Sequence, residues 1–247
     1  FREKQLNEQI FNRLEKLISY CRNAYDFAID DNLISYNPLA RVKKGLVNHT
    51  PASMKHVSMD DLPDLVNAIR NYRSERISIG LELLVILFPR PGELRAARWD
   101  QFNFETRLWL RPADVMKRRV PHAIPLPTQA IDLLLRLKEI SSHGNEYLFP
   151  SRSGSKEKFI SEVTFNRALN RIGYDGQQNP HGFRHIASTY LNDIFSDREQ
   201  VIESALSHQK AGVKGAYDKG AHLRERVGVM QYWADHLDSI CGVRMLK

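Results

Sequence analysis

His181 and Arg184 stand three residues apart in the run HGFRHIAS. On a helix that spacing puts both side chains on one face, almost one turn apart. An imidazole beside a guanidinium can be a surface accident, a metal site or a cradle for an anion. His185 adds an i, i+4 histidine pair and so raises zinc. Residue 182 is glycine, however, so the base of a His-Glu-x-x-His site is absent, and no Cys or third His lies at a ligand-like spacing. No acidic cluster suits Mg²⁺. The sequence calls for no metal and no cofactor.

Three other stretches carry reactive side chains. In LFPRPGELRAARWD, Arg90 lies between two prolines where an apolar run ends. A guanidinium is expensive to bury there unless it meets an anion or a carboxylate, and Glu93, three residues on, can hold it. The plain alternative is a surface Arg–Glu pair of little consequence. MKRRVPH gathers Lys117, Arg118 and Arg119 at one tip. Such a tip is either a solvated loop or one inserted into a nucleic-acid groove, and a lysine on it can donate a proton where its surroundings lower its pKa. In ALSHQKAGVKGAYDKG, His208 precedes Tyr217 by nine residues. That tyrosine is an ordinary surface side chain unless neighbouring cations favour its phenolate, which makes it a nucleophile.

Composition narrows the partner. The 247 residues carry a formal net charge of +7, and the sequence pI is about 9.4. That balance favours a polyanion, most simply nucleic acid. Hydrophobic residues make up 42%, enough for a proper core without disulfide staples. Two cysteines without framework spacing predict a reduced, intracellular protein. No apolar run approaches a membrane span, and FREKQLNEQ does not read as a signal peptide. The chain begins without an initiator Met, which suggests a piece of a longer protein.

The elements that must position these residues follow from periodicity. Residues 7–30 carry one apolar stripe at helical spacing, stopped at Asn37-Pro38. Ser58 is a candidate N-cap for a helix to about Asn71. ISIGLELLVILF, 77–88, is apolar on nearly every face and predicts a buried central helix. RLWLRP and PHAIPL read as two strands joined by the basic turn. Helices are expected over 128–140, over 161–173 from Ser161 to Gly173, and after Asp197, which with Gln200 resembles a capping box. A last helix would put Leu223, Val227, Met230 and Leu237 on one face. The expected fold is mainly α with a small antiparallel β-sheet, an α+β arrangement. Residues 1–41 read as the end of a helical domain, 42–55 as a basic linker, and 56–247 as a second domain.

Each motif alone is weak; their order is specific. RPGELRAARW, MKRRVPHAIPL, HGFRHIAS, LSHQ and AYDKG together resemble the tyrosine recombinases, or phage integrases, and most closely those of satellite prophages and pathogenicity islands. The resemblance implies a catalytic domain preceded by the end of a core-binding domain, FAIDDNLISYNPLARV. It implies a site-specific recombinase that cleaves and rejoins DNA through a 3′-phosphotyrosine, integrating and excising a mobile element without metal. By motif, Arg90 and Arg184 match the phosphate-binding arginines, Lys117 the hairpin lysine, His181 and His208 the two histidines, and Tyr217 the nucleophile. Glu93 matches a supporting acid. Lys43, Lys44, Arg118 and Arg119 are expected to contact DNA. Implied partners are double-stranded DNA at attachment sites, three further copies in a DNA-bound tetramer, and accessory DNA-bending or directionality proteins, in a bacterial, nucleoid-associated, cytoplasmic setting. The segment after Tyr217 would pack on a neighbouring protomer. Type IB topoisomerase-like relaxation, or a decayed integrase that only binds DNA, are the alternatives.

Overall fold

The structure is a computed structural model that describes residues 11–42, 55–112, 121–141, 144–151, 157–207 and 222–246. Lys43, Lys44, Lys117, Arg118, Arg119, His208 and Tyr217 lie outside the described residues. The chain divides into two compact units, Phe1–Ser53 and Met54–Lys247.

The first unit contains helix α1, Phe11–Asp30. The Asn37-Pro38 stop folds back on it. Asn37 Nδ2 donates to Asp26 Oδ1 at 2.6 Å and to the Arg22 carbonyl at 3.2 Å, while Arg22 Nε donates to the Leu39 carbonyl at 2.9 Å. Only part of the expected apolar stripe is covered: Leu14 is buried, but Leu17 and Tyr25 remain exposed. A single helix has nothing of its own to lay that face against.

The second unit is built around α3, Glu75–Leu87, after α2, Leu62–Arg70. Every α3 residue from Ser78 to Leu87 is buried, because α2, the short α4 (Pro91–Arg95), α5 (Thr128–Glu139), α6 (Val163–Leu169), α7 (Gly182–Ile194) and α9 (Leu223–Cys241) all pack against it. α8, Glu199–Ala205, packs between α7 and α9. The sheet has three antiparallel strands rather than the two expected: β1 (Phe102–Asn103), β2 (Leu108–Arg111) and β3 (His122–Pro125), in that order. Trp109 pairs with Ile124, and Arg111 with His122. β1 is two residues long and carries no alternation for a periodicity reading to detect.

Several boundaries move. Ser58 caps the turn before α2 rather than the helix: its Oγ accepts from Asp61 N at 3.2 Å, and Asp61 is the N-cap. The 161–173 helix ends at Leu169 and unwinds into a wide turn over Asn170–Tyr174, where Gly173 takes φ 97°. The Asp197–Gln200 box does not form; Arg198 caps α8 through its backbone and lies over the Phe195 ring, 5.5 Å from its centroid. α9 buries Arg226, Val229, Met230, Trp233, Ala234, Leu237 and Cys241 within its own unit, whereas Val227, expected on the buried face, is half exposed. Trp233 fixes that rotation, with Nε1 donating to the Val85 carbonyl at 3.0 Å. In this single chain the helix packs against α2, α3, α5, α7, α8 and β3 of its own unit.

Gly80 is a point of close approach on α3. A Cβ there would lie 2.6 Å from Phe165 Cε1 and 2.9 Å from Phe149 Cε1, and both rings are fully buried in an edge-to-face pair. Neither ring has space to retreat. Gly80→Val should destabilise the fold by about 2–3 kcal/mol through overpacking, read as a lower urea midpoint with an unchanged slope.

Candidate active site

The apolar α3 ends at Phe88, whose φ of 39° turns the chain sharply into Pro89-Arg90. Arg90 is then the N-cap of α4, and Glu93 sits three residues on, inside the first turn. Helix geometry folds that carboxylate back: Oε2 accepts from Arg90 N and Oε1 from Arg90 Nη1, each at 2.9 Å. Glu93 also accepts a close bond from Arg111 Nη1, at the end of β2. One carboxylate thus grips two arginines from two elements.

Arg184 comes from α7. The run before it is tightly held: Gly182 N donates to Asn179 Oδ1 at 2.9 Å, and Gln178 Oε1 accepts from Val57 N at 2.8 Å. A Cβ on residue 182 would lie 2.5 Å from the Lys55 carbonyl oxygen, which explains the glycine in HGFRH. The helix turns Arg184 inward, 5% exposed, while His181 at its N-cap and His185 are exposed. His185 meets His56 edge-on, with ring centroids 4.6 Å apart. Arg184 Nη1 donates to the Phe88 carbonyl at 3.0 Å, and Nη2 donates to the Leu206 carbonyl. It thereby joins the turn before Arg90 to the end of α8. A guanidinium has five N–H donors, so these two bonds leave others for a ligand.

Sequence reading missed three members of this cluster, two of them buried. Arg111 is 2% exposed, with its guanidinium 5.4 Å from the centroid of the Trp109 ring, and Nη2 donates to Ser207 Oγ at 2.7 Å. Arg226 on α9 is 4% exposed and donates from Nη1 to the Ala123 carbonyl at 2.7 Å. His122, opposite Arg111 in the ladder, has an enclosed Nε2 that meets no partner among the described residues. The signal for Arg111 was strand alternation: period two puts it on the same inward face as Trp109.

The electrostatics are those of a cation cluster short of negative charge. Burial and the neighbouring Arg90 charge pull Arg184 down to about 10, against the pull of Glu93. Burial lowers Arg111 as well, opposed by Glu93. Burial pushes the Glu93 carboxyl up, but Arg111 and the bonds from Arg90 outweigh it and hold it below its ordinary value. All three stay charged near neutrality. Burial, then Arg111, Arg226, Arg184 and Arg90, pull His122 down to about 3, so its ring is neutral. Among the described residues no group of three His, Cys, Asp or Glu side chains could hold a metal ion. Nor is any helix there long and apolar enough to cross a membrane.

The phage integrase family matches residues 55–220 of this sequence, a span that holds Arg90, Lys117, His181, Arg184, His208 and Tyr217. The chain belongs to the phage integrase family. Among curated relatives, the prophage integrase IntZ of Escherichia coli K12 is 33% identical over 216 residues, covering 87% of this chain and 53% of that protein. The integrase of Enterobacteria phage P4 is 34% identical over 229 residues, covering 86% and 52%. This integrase-family chain therefore spans about half the length of the relatives it matches. The fold is shared with a lambda integrase dimer bound to a COC′ core site, at TM-score 0.62 and 17% identity, over 85% of this chain and 80% of that one. It is shared too with a lambda integrase tetramer bound to a Holliday junction, at TM-score 0.64 and 18% identity, over 84% and 62%.

The neutral His122 sets a pH dependence for this integrase-family fold. The unfolded ring takes a proton below about pH 6.5, whereas the folded one resists until about 3. Stability from this group is therefore intact above about 6.5 and is lost as pH falls toward about 3. Over that window the loss should be about 4–5 kcal/mol. His122→Gln should flatten the fall, seen as a smaller difference between urea unfolding free energies at pH 7 and pH 4. Equal pH slopes in the two proteins would remove His122 as the cause.

Proposed function

We propose that this chain is the catalytic part of a site-specific DNA recombinase that breaks and rejoins duplex DNA to integrate and excise a mobile element. The observation that carries the reading is the grouping of half-exposed Arg90 with buried Arg111 and Arg184 near Glu93, within a chain of the phage integrase family. The reacting group would be a phosphodiester. Arg90 and Arg184 are its donors to the two non-bridging oxygens, where charge grows as the phosphorus becomes five-coordinate. Their forks stay charged at any physiological pH, and such preorganised donors favour the transition state over the ground state.

Tyr217 attacks phosphorus and the bond to the 5′ oxygen breaks. Lys117 gives that oxygen its proton, leaving a 3′-phosphotyrosine and a free 5′-hydroxyl. His181 and His208 bond the phosphate and manage protons. Rejoining reverses the step with a hydroxyl from another strand, so no water is consumed. Arginine charge takes the place that a metal ion occupies in a nuclease. The basic residues Lys43, Lys44, Arg118 and Arg119 belong to DNA contacts in this reading. Residues 1–41 are the end of a core-binding domain, 42–55 a linker and 56–247 the catalytic domain, working as a tetramer on DNA in the bacterial cytoplasm.

The test is a pool of nicked duplexes with a randomised core, incubated with the chain and run on a denaturing gel. A covalent protein–DNA band identifies both the class and the core sequence. Tyr217→Phe should abolish that band and leave binding almost unchanged, because one phenolic oxygen adds little to the phosphate contacts that carry affinity. The band should persist in excess EDTA. A covalent adduct in Tyr217→Phe, or a band lost to EDTA and restored by Mg²⁺, would mean a different chemistry.

A further inference from the structure

Two guanidinia hold the two consecutive residues that follow α8. Arg184 binds the Leu206 carbonyl, and Arg111 binds the Ser207 hydroxyl at 2.7 Å. Ser207 is the residue directly before His208 in the chain, and Tyr217 follows nine residues later. We propose that Arg111 and Ser207 form a positioning clasp for the recombination reaction. The guanidinium that holds Glu93, and through it Arg90, also holds the point from which the His208–Tyr217 segment departs.

Three observations carry this. First, Arg111 is committed on both ends: Nη1 to Glu93 and Nη2 to Ser207, with the guanidinium lying over Trp109. In the proposal it acts as a positioning residue, through Glu93 and Ser207. Second, its burial is costly. Arg111 Nε is enclosed and meets no partner among the described residues, a loss on the order of 1–3 kcal/mol where a donor goes unsatisfied. An apolar side chain would pack on Trp109 without that loss, so plain core packing does not call for an arginine here. Third, Ser207 takes φ 53°, in the left-handed region that few non-glycine residues enter. Such a residue persists where its surroundings over-determine it. Here Ser207 N donates to the Ser204 carbonyl at 3.0 Å, Leu206 N to the Ile202 carbonyl at 2.9 Å, and the two arginines grip the rest.

Arg111 also ends β2, and Lys117 follows it by six residues in the chain. One buried side chain thus touches the support of Arg90, the end of β2 and the start of the His208 segment. Shifting any of these by about 1 Å is enough to cost a reaction about 100-fold, because attack needs aligned atoms.

The inference rests on the recombinase reading, so the test uses the trapped nicked duplex from the randomised pool. Arg111 variants risk misfolding, and Ser207 variants avoid that. Ser207→Ala removes only the hydroxyl. Ser207→Asn tolerates the positive φ and returns a carbonyl oxygen that accepts from the guanidinium. The readouts are the single-turnover rate of adduct formation at saturating DNA, the DNA Kd and the Tm. Ser207→Ala should slow adduct formation about 10-fold, with Kd changed less than about 2-fold because phosphate contacts elsewhere carry binding. Its Tm should fall by no more than about 2–4 °C, the effect of one lost hydrogen bond in a chain of this size. Ser207→Asn should recover most of the rate. A wild-type rate in Ser207→Ala, or an Asn variant no faster than Ala, overturns the clasp. Absence of any adduct with the wild-type chain removes the recombinase reading, and the clasp with it.

Discussion

Glu93 accepts from half-exposed Arg90 and from buried Arg111 at once, at an end of the core. Arg184 lies near enough for Arg90 to depress it and for Glu93 to oppose that depression. Cations gathered in a low dielectric repel one another strongly, and losing the partner of a buried charge typically costs about 3–5 kcal/mol. The carboxylate is therefore the condition on which the cluster exists. It in turn depends on the sharp turn at Phe88, which ends α3 and brings Glu93 to the first turn of α4 rather than onto the surface. The apolar α3, the αL turn, the short α4 and the inward strand β2 are parts of one solution to that charge problem.

The arginines also bind the fold to itself. Arg184 bridges the end of α3 to the end of α8, Arg111 bridges β2 to the same point, and Arg226 ties α9 to β3. Each bond ends on an element that another part of the sequence supplies. The site is thus assembled only when the whole second unit has folded, and its side chains reach their places through tertiary contacts. Local helix propensity alone would deliver none of these bridges.

What the sequence disclosed follows from this. α3 was legible because its apolar run has no polar face, and Arg90 with Glu93 because three-residue spacing is a local rule. β1 was not, since two residues carry no period. Arg111 was overlooked although Trp109-Leu110-Arg111 alternates, because the pattern is inverted: Leu110 faces out, 47% exposed, and the charge faces in. A reading that assigns apolar residues inward loses a buried charge whose partners lie 18 and 96 residues away. α9 misled for a related reason. Its apolar residues fit more than one helical face, and the face used is set by Trp233 reaching the Val85 carbonyl, a contact 148 residues distant.

Glu93 cannot neutralise the cluster alone. Burial first, and then Arg111, Arg226, Arg184 and Arg90, make the His122 imidazole give up its proton, which lowers the local charge. What remains is still an excess of positive charge, held in place by carbonyls and one carboxylate. A phosphodiester brings one negative charge in ground-state form, and its five-coordinate transition state concentrates more on the non-bridging oxygens. On the proposed reading, each increment would meet donors already held in place by Glu93 and by the Phe88 and Leu206 carbonyls. Such an interaction would grow as the reaction proceeds, which is the property a catalyst needs. A surface cluster of the same arginines, screened by water and salt, would bind DNA as well and accelerate little. On the proposed reading, the partial burial that makes this cluster hard to assemble is what would let it act on a phosphate rather than merely hold one.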